Sequence, residues 1–233
     1  MTMKLLDTNG GNTKVRKTDK ASETYRLAGL SLRPDDILCP YRHVAGCAEP
    51  CLESAGRGAM SNVRDGRQRK TDFWHADREG FLAQLRKELR NFDGLCKRQG
   101  VKGAVRLNVL SDIPWEKHGI PQAFPDLFFY DYTKNASRLG KTPENYRLMF
   151  SYSPAEGYQK HAAKALETNV PISVVFAGGL PKVYKGRPVI DGDASDLENV
   201  KAGRVIVGLV AKGKAKKDAG AFVVNASNLI ATA

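Results

Sequence analysis

The chain contains no apolar run approaching the roughly 20 residues that a bilayer span requires, and Met1 to Lys20 lacks the apolar stretch of a secretory signal. These absences lead us to expect a cytoplasmic protein without a membrane partner. No Gly-x-Ser-x-Gly elbow is present, and His75, His118 and His161 have no nucleophile pattern beside them, which argues against a hydrolase triad. The basic run Lys212-Gly213-Lys214-Ala215-Lys216-Lys217 lacks the upstream glycine of a P-loop. Asp191-Gly192-Asp193-Ala194-Ser195-Asp196 lacks the length and terminal Glu of a calcium loop. Neither a sequence repeat nor a coiled-coil pattern occurs, so a repetitive structural component is disfavoured.

Cysteine is scarce but concentrated. Of four cysteines in 233 residues, Cys39, Cys47 and Cys51 fall within thirteen positions, separated by seven and three residues. Three thiolates on a short irregular segment bring soft ligands to one place, which suits an iron-sulfur cluster, zinc or copper(I) better than a hard cation. Disulfides or small buried hydrophobes are the plainer alternatives, yet cytosolic thiols stay reduced and clustered ones more often bind metal. Zinc would take His43 as a fourth ligand, giving a regular spacing of four, although Pro40, Gly46 and Pro50 oppose the helix that would aim all four side chains together. A cubic four-iron cluster needs only the three cysteines and leaves one iron open to a small-molecule ligand. Residue chemistry alone leaves the two metals level. Cys96, in a helical stretch, is expected to pack.

Positive charge is in excess: a formal net charge of +12 implies attraction to phosphate, nucleic acid or another acidic partner. Residues 1–24 are polar and basic and read as a flexible arm, leaving 25–233 as a single α/β domain that carries the metal loop at 39–51. Alternation over Tyr25 to Leu32 predicts a first strand ending before that loop. Phe81, Leu82, Leu85, Leu89 and Phe92 predict a long helix over Asp77 to Lys97. Apolar runs at 104–110, 127–130, 146–150, 172–176 and 205–210 read as buried parallel strands. Helices are expected at 155–168 and 133–139, and a β-hairpin at 182–190 is inserted in the series. About six strands with crossovers predict an open or partial (β/α)6 barrel.

In such folds function gathers where strands finish. Several runs here end in polar groups, so Asn108, Asp112, Asp131, Lys134 and Ser151 are expected on one face beside the cysteine loop. We assign Asn108, Asp112, Lys134 and Ser151 to substrate binding. Arg57, in Ser54-Ala55-Gly56-Arg57-Gly58, is assigned to anion binding, with Arg64, Arg67, Arg69 and Lys70 following it. Helix capping and solvated charge are the alternative roles for these groups. Trp74, Tyr41 and Tyr132 are candidates to stack on bases, though core packing is the commoner use.

Several motifs carry a resemblance. They are Cys39-Pro40 with Cys47 and Cys51, Ala55-Gly56-Arg57-Gly58, Arg69-Lys70-Thr71, Arg106-Leu107-Asn108, Ser111-Asp112-Ile113 with Trp115-Glu116, and Phe129-Tyr130-Asp131-Tyr132-Thr133-Lys134. Val189-Ile190-Asp191-Gly192-Asp193 with Asp196-Leu197, and Val207-Gly208-Leu209 with Lys212-Gly213, complete them. Through them the chain resembles a family of uncharacterised bacteriophage proteins with a three-cysteine loop, which implies a phage origin and the host cytoplasm. More distantly it is similar to radical S-adenosylmethionine enzymes, where a three-cysteine loop after the first strand of a partial (β/α)6 barrel holds a [4Fe-4S] cluster. That likeness implies the same cluster on Cys39, Cys47 and Cys51, with S-adenosylmethionine at its open iron. A zinc-stabilised basic protein that binds nucleic acid or a host protein without catalysis is the competing expectation.

Overall fold

The computed structural model describes residues 3–8, 24–218 and 221–230. Among these residues nine strands form one sheet: β1 (Tyr25–Gly29), β2 (Lys102–Arg106), β3 (Leu127–Thr133), β4 (Tyr146–Ser151), β5 (Ile172–Ala177), β6 (Val183–Tyr184), β7 (Arg187–Asp191), β8 (Ile206–Val210) and β9 (Val224–Asn225). Their spatial order is β1-β2-β3-β4-β5-β8-β7-β6, with β9 against β5. All pairings between named strands are parallel except the β6–β7 hairpin. The helices are α1 (Ser61–Ala76), α2 (Arg78–Arg98), α3 (Gln159–Leu166), α4 (Asp196–Asn199) and α5 (Ser227–Ile230).

The sheet does not close, and what it shares with the expected open or partial barrel is the coarser feature, a mixed α/β fold with an open, mostly parallel sheet. Two crossovers also depart from a regular barrel. A single 3-10 turn, Trp115–His118, stands between β2 and β3, and another, Ala136–Arg138, between β3 and β4. The sheet is nonetheless curled. Six steps of about 4.8 Å would separate β7 from β1 if it were flat. The segment following β7 already reaches the far end: Asp196 pairs with Arg106 of β2 and accepts a hydrogen bond from Tyr132 of β3 at 2.9 Å, and Lys201 Nζ lies 4.7 Å from the ring of Tyr25 in β1.

Period-two alternation sorts the side chains between the faces. Leu27, Ala104, Tyr130, Met149 and Val207 share the concave face with Leu197 and Val200. Val105, Phe129 and Leu148 point the other way, into a core closed by Phe81, Leu85, Leu89 and Phe92 of α2. That helix starts where expected, at the N-cap Asp77, whose carboxylate accepts from Gly80 N at 2.8 Å. Gly103 lets β2 approach it, because a Cβ there would stand 2.4 Å from Leu127 and 3.1 Å from Phe92. Cys96 is buried in this core, as expected of a packing thiol.

Residues 3–8 are docked rather than extended away. Leu5 and Leu6 are buried, their backbone N–H groups donate to the Glu88 carboxylate at 2.7–3.1 Å, and Asp7 bridges to Gly29. Most of the expected arm, residues 9–23, lies outside the described residues.

Candidate functional site

Parallel strands expose their carboxyl ends together, and here a cavity of about 200 Å³ opens at that edge. Cys39, Cys47 and Cys51 line it from the loop after β1. Asn108 and Asp112 come from the segment after β2, and Lys134 and Ser151 from the ends of β3 and β4. Ser173 of β5, Asp193 beyond β7 and Lys212 beyond β8 complete the polar wall, between Val109, Val175, Leu209 and Phe222. The sheet itself makes room. β4 pairs with β5 only at Phe150 and Ser151, and further along β5 its partner is β9, at Phe176 and Ala177.

The cysteine loop is built from turns. The Asp35 carboxylate starts it by accepting from Ile37 N at 2.9 Å and Leu38 N at 2.7 Å. Gly46, with φ of 64°, brings the chain against residue 221, where a Cβ would stand 2.7 Å from the Ala221 carbonyl oxygen. Ser153 Oγ, beyond β4, donates to Ala45 O at 2.6 Å and ties the loop to the sheet. Cys39, Cys47 and Cys51 are free thiols. Burial pushes the Cys39 and Cys51 thiols up, and Cys39 Sγ donates to Leu110 O at 3.3 Å.

Sulfur donors suit soft metals, but among the described residues no group of three or more His, Cys, Asp or Glu side chains is gathered for a single metal ion. One zinc draws its sulfur ligands to about 2.3 Å from a common point. His43 is also turned elsewhere: it is exposed and its Nε2 meets Asp36 Oδ1 at 2.8 Å. The three thiols line one cavity without forming a zinc tetrahedron.

The expected substrate residues meet here, with unequal freedom. Asn108 is spent internally: its amide nitrogen donates to Ile113 O and Asp131, and its oxygen accepts from Ser111 Oγ, Ile113 N and Trp115 Nε1. Asp131, beneath it, is pushed up to about 7 by burial, while accepting from Asn108 N and Tyr146 OH. Asp112 takes Arg138 Nη1 at 2.7 Å on one oxygen and Lys134 N at 2.8 Å on the other. Lys134 Nζ donates to Ser151 O at 3.2 Å and to Ser151 Oγ at 3.1 Å. Arg57 stands outside the cavity, exposed on the turn Gly56–Ala59.

Sequence reasoning passed over Arg106, which lines the cavity, stacks 4.5 Å from the Tyr132 ring centre and pairs with Asp196. Its signal was a charged residue closing an otherwise apolar strand. Trp74 is a core residue, packed against Phe81 and Trp115, and the Tyr132 ring lies under Arg106. Among the described residues no helix is long and apolar enough to cross a membrane.

A family model described as Gene product 88 matches residues 3–225, so the chain belongs to that family, consistent with the phage-type family expected from its motifs. Searches of curated proteins and of solved structures gave no significant match.

Proposed function

We propose that this member of the Gene product 88 family holds an iron-sulfur cluster on Cys39, Cys47 and Cys51 and acts on a small molecule bound beside it. The observation that carries this reading is the opening of all three thiols into one cavity at the carboxyl ends of parallel strands. Three sulfur donors on one cavity wall are the ligand set a cubic four-iron cluster takes. Sequential ordering of β1 to β5 followed by β8, with the cysteine loop after the first strand, supports the partial-barrel likeness to radical S-adenosylmethionine enzymes.

When bound, such a cluster supplies one-electron transfer and an iron without a cysteine ligand. The chain's own residues do the rest. Val109, Leu110, Val175, Leu209 and Phe222 keep the cavity wall apolar. Arg138 holds Asp112 in place, and Asp112 in turn fixes the backbone of Lys134. The hydroxyls of Ser151 and Ser173 and the Lys134 ammonium are the groups positioned to orient a polar ligand.

Anaerobic purification with iron, acid-labile sulfide and zinc analysis tests the proposal. About four irons and four sulfides per chain are expected of a cubic cluster, with a change in the electron paramagnetic resonance spectrum if S-adenosylmethionine occupies the open iron. One zinc and no sulfide would overturn it.

A second reading, a zinc-stabilised basic protein that docks on nucleic acid, has one specific observation in its favour. Two basic segments distant in sequence meet beside the cavity: Lys214 N donates to Ser54 Oγ at 3.3 Å, and a Cβ on Gly213 would stand 3.0 Å from Ala55. The turn carrying Arg57 and the turn carrying Lys212, Lys214, Lys216 and Lys217 thus form one rim. If that rim tracks a single strand, log affinity falls with log salt by about 0.7 per phosphate neutralised. The triple variant R57E/K216E/K217E should then lower the slope by about two. No binding to single-stranded DNA or RNA at low salt would eliminate this reading.

A further inference from the structure

Lys134 is a cation without an anion of its own. It follows the last residue of β3, and its ammonium is held by the carbonyl and hydroxyl of Ser151, both neutral. Aromatic faces supply the other contacts, with Nζ 4.7 Å from the Phe222 ring centre and 5.3 Å from that of Tyr158. Tyr158 OH also donates to the Lys134 carbonyl at 2.6 Å, which fixes the backbone below the side chain. Asp112, a carboxylate close enough to act on Lys134, gives its oxygens to Arg138 Nη1 and to the Lys134 backbone N–H, not to the ammonium.

The other cations on the wall differ. Arg106 is paired with Asp196 and Lys212 with Asp193, while Arg42, beside the thiols, lies 3.7 Å from Asp36 and donates to Pro34 O at 3.1 Å. Lys134 is set deep enough that desolvation lowers its pKa, and the sites whose charges would offset that cost are Cys47, Asp112, Cys39 and Cys51. An anionic group seated on three thiolates would compensate the ammonium at once.

We infer that Lys134 is the internal counter-charge of the group held by Cys39, Cys47 and Cys51, and that it sets the ease with which that group is reduced. This rests on the cluster reading. Each electron added to a thiolate-bound cluster adds negative charge, and a fixed ammonium nearby favours the reduced form. Ser151, Phe222 and Tyr158 suit the role because they hold the ammonium without neutralising it. Lys134 is thus a positioned charge tuning the site, and its effect is present before any substrate binds.

The test is a redox titration followed by electron paramagnetic resonance on the full chain, wild type against K134M, K134Q and K134R, without substrate. K134M and K134Q are expected to keep the cluster but resist reduction. At the wild-type midpoint their reduced-to-oxidised ratio should fall at least about tenfold, or about 59 mV for a one-electron couple. K134R should stay within about threefold of wild type, since the charge remains. Cluster loss from K134M and K134Q with retention in K134R would equally support a role for the charge. A loaded K134M with the wild-type midpoint would overturn this inference and leave the cluster standing. Wild-type protein free of iron and sulfide would remove both.

Discussion

Serine at Cys39, Cys47 or Cys51 is expected to strip the purified protein of its iron and sulfide, with at least about tenfold less of each than wild type. Loss of an outer-shell partner alone typically costs 10–100-fold in affinity. The hydroxyl is a harder donor than a thiolate and gives up its proton far less readily, so the site loses both softness and charge. Cys96→Ser is the control: its side chain packs from α2 onto Gly103 of β2 and is not part of the cavity lining, so the variant should keep its iron and sulfide. Because burial pushes the Cys39 and Cys51 thiols up, binding a metal group as thiolates releases protons and should improve as pH rises. Wild-type iron content in Cys39→Ser would end the assignment, whatever the behaviour of the other two.

Much of the scaffold beneath this site was legible in the residues. The apolar runs at 127–130, 146–150, 172–176 and 205–210 all became strands, because β-branched and aromatic runs bounded by Gly, Pro and Asp have few other ways to bury both faces. The long helix and the hairpin stand within about a residue of their expected limits. Helix α1 was read instead as a basic run. Only Thr71 and Trp74 of its sixteen residues are buried, so it carries almost no apolar periodicity to detect. Strand β9 has two residues and answers to a gap in the sheet, a tertiary cause invisible in local pattern.

The site divides in the same way. Polar residues at strand ends were expected to converge, and Asn108, Asp112, Lys134 and Ser151 do line one cavity with the thiols. Their individual tasks were not legible. Nothing in Arg106-Leu107-Asn108 indicates that the Asn108 amide is consumed by Ile113, Ser111 and Trp115, or that the arginine reaches ninety residues onward to Asp196. Arg57 was expected to bind anions beside the thiols and instead joins a rim outside them, with a lysine run that the sequence places more than 150 residues away. Spacing identifies groups with a chemical use, and only packing decides which of them keep it.

Arg138 was not singled out at all, and replacing it should produce the largest loss of stability. Its guanidinium is 5% exposed and grips Glu116 with two bonds, Nε to Oε1 at 2.9 Å and Nη2 to Oε2 at 2.8 Å, while Nη1 holds Asp112 at 2.7 Å. Arg138→Met would take from both carboxylates the cation bonded to them, a change that costs about 3–5 kcal/mol when one partner of a buried pair is removed. At roughly 2–4 °C per kcal/mol for a chain of this size, the melting temperature should fall by roughly 6–20 °C. Arg138→Lys should recover only part of this, since an ammonium cannot reproduce the fork. The pH dependence separates charge from packing. Burial already holds the Asp112 carboxyl above the ordinary carboxylate value near 4, against the opposing pull of Arg138, and without the arginine it rises further. The folded protein then binds more protons than the unfolded one above that pH, and its stability falls as pH rises toward neutrality. The deficit relative to wild type should therefore be smallest near pH 4 and largest near pH 7. A deficit that is the same at both, measured by urea unfolding, would mean that Arg138 contributes through its packing and that the Asp112 side of the cavity is not held by charge.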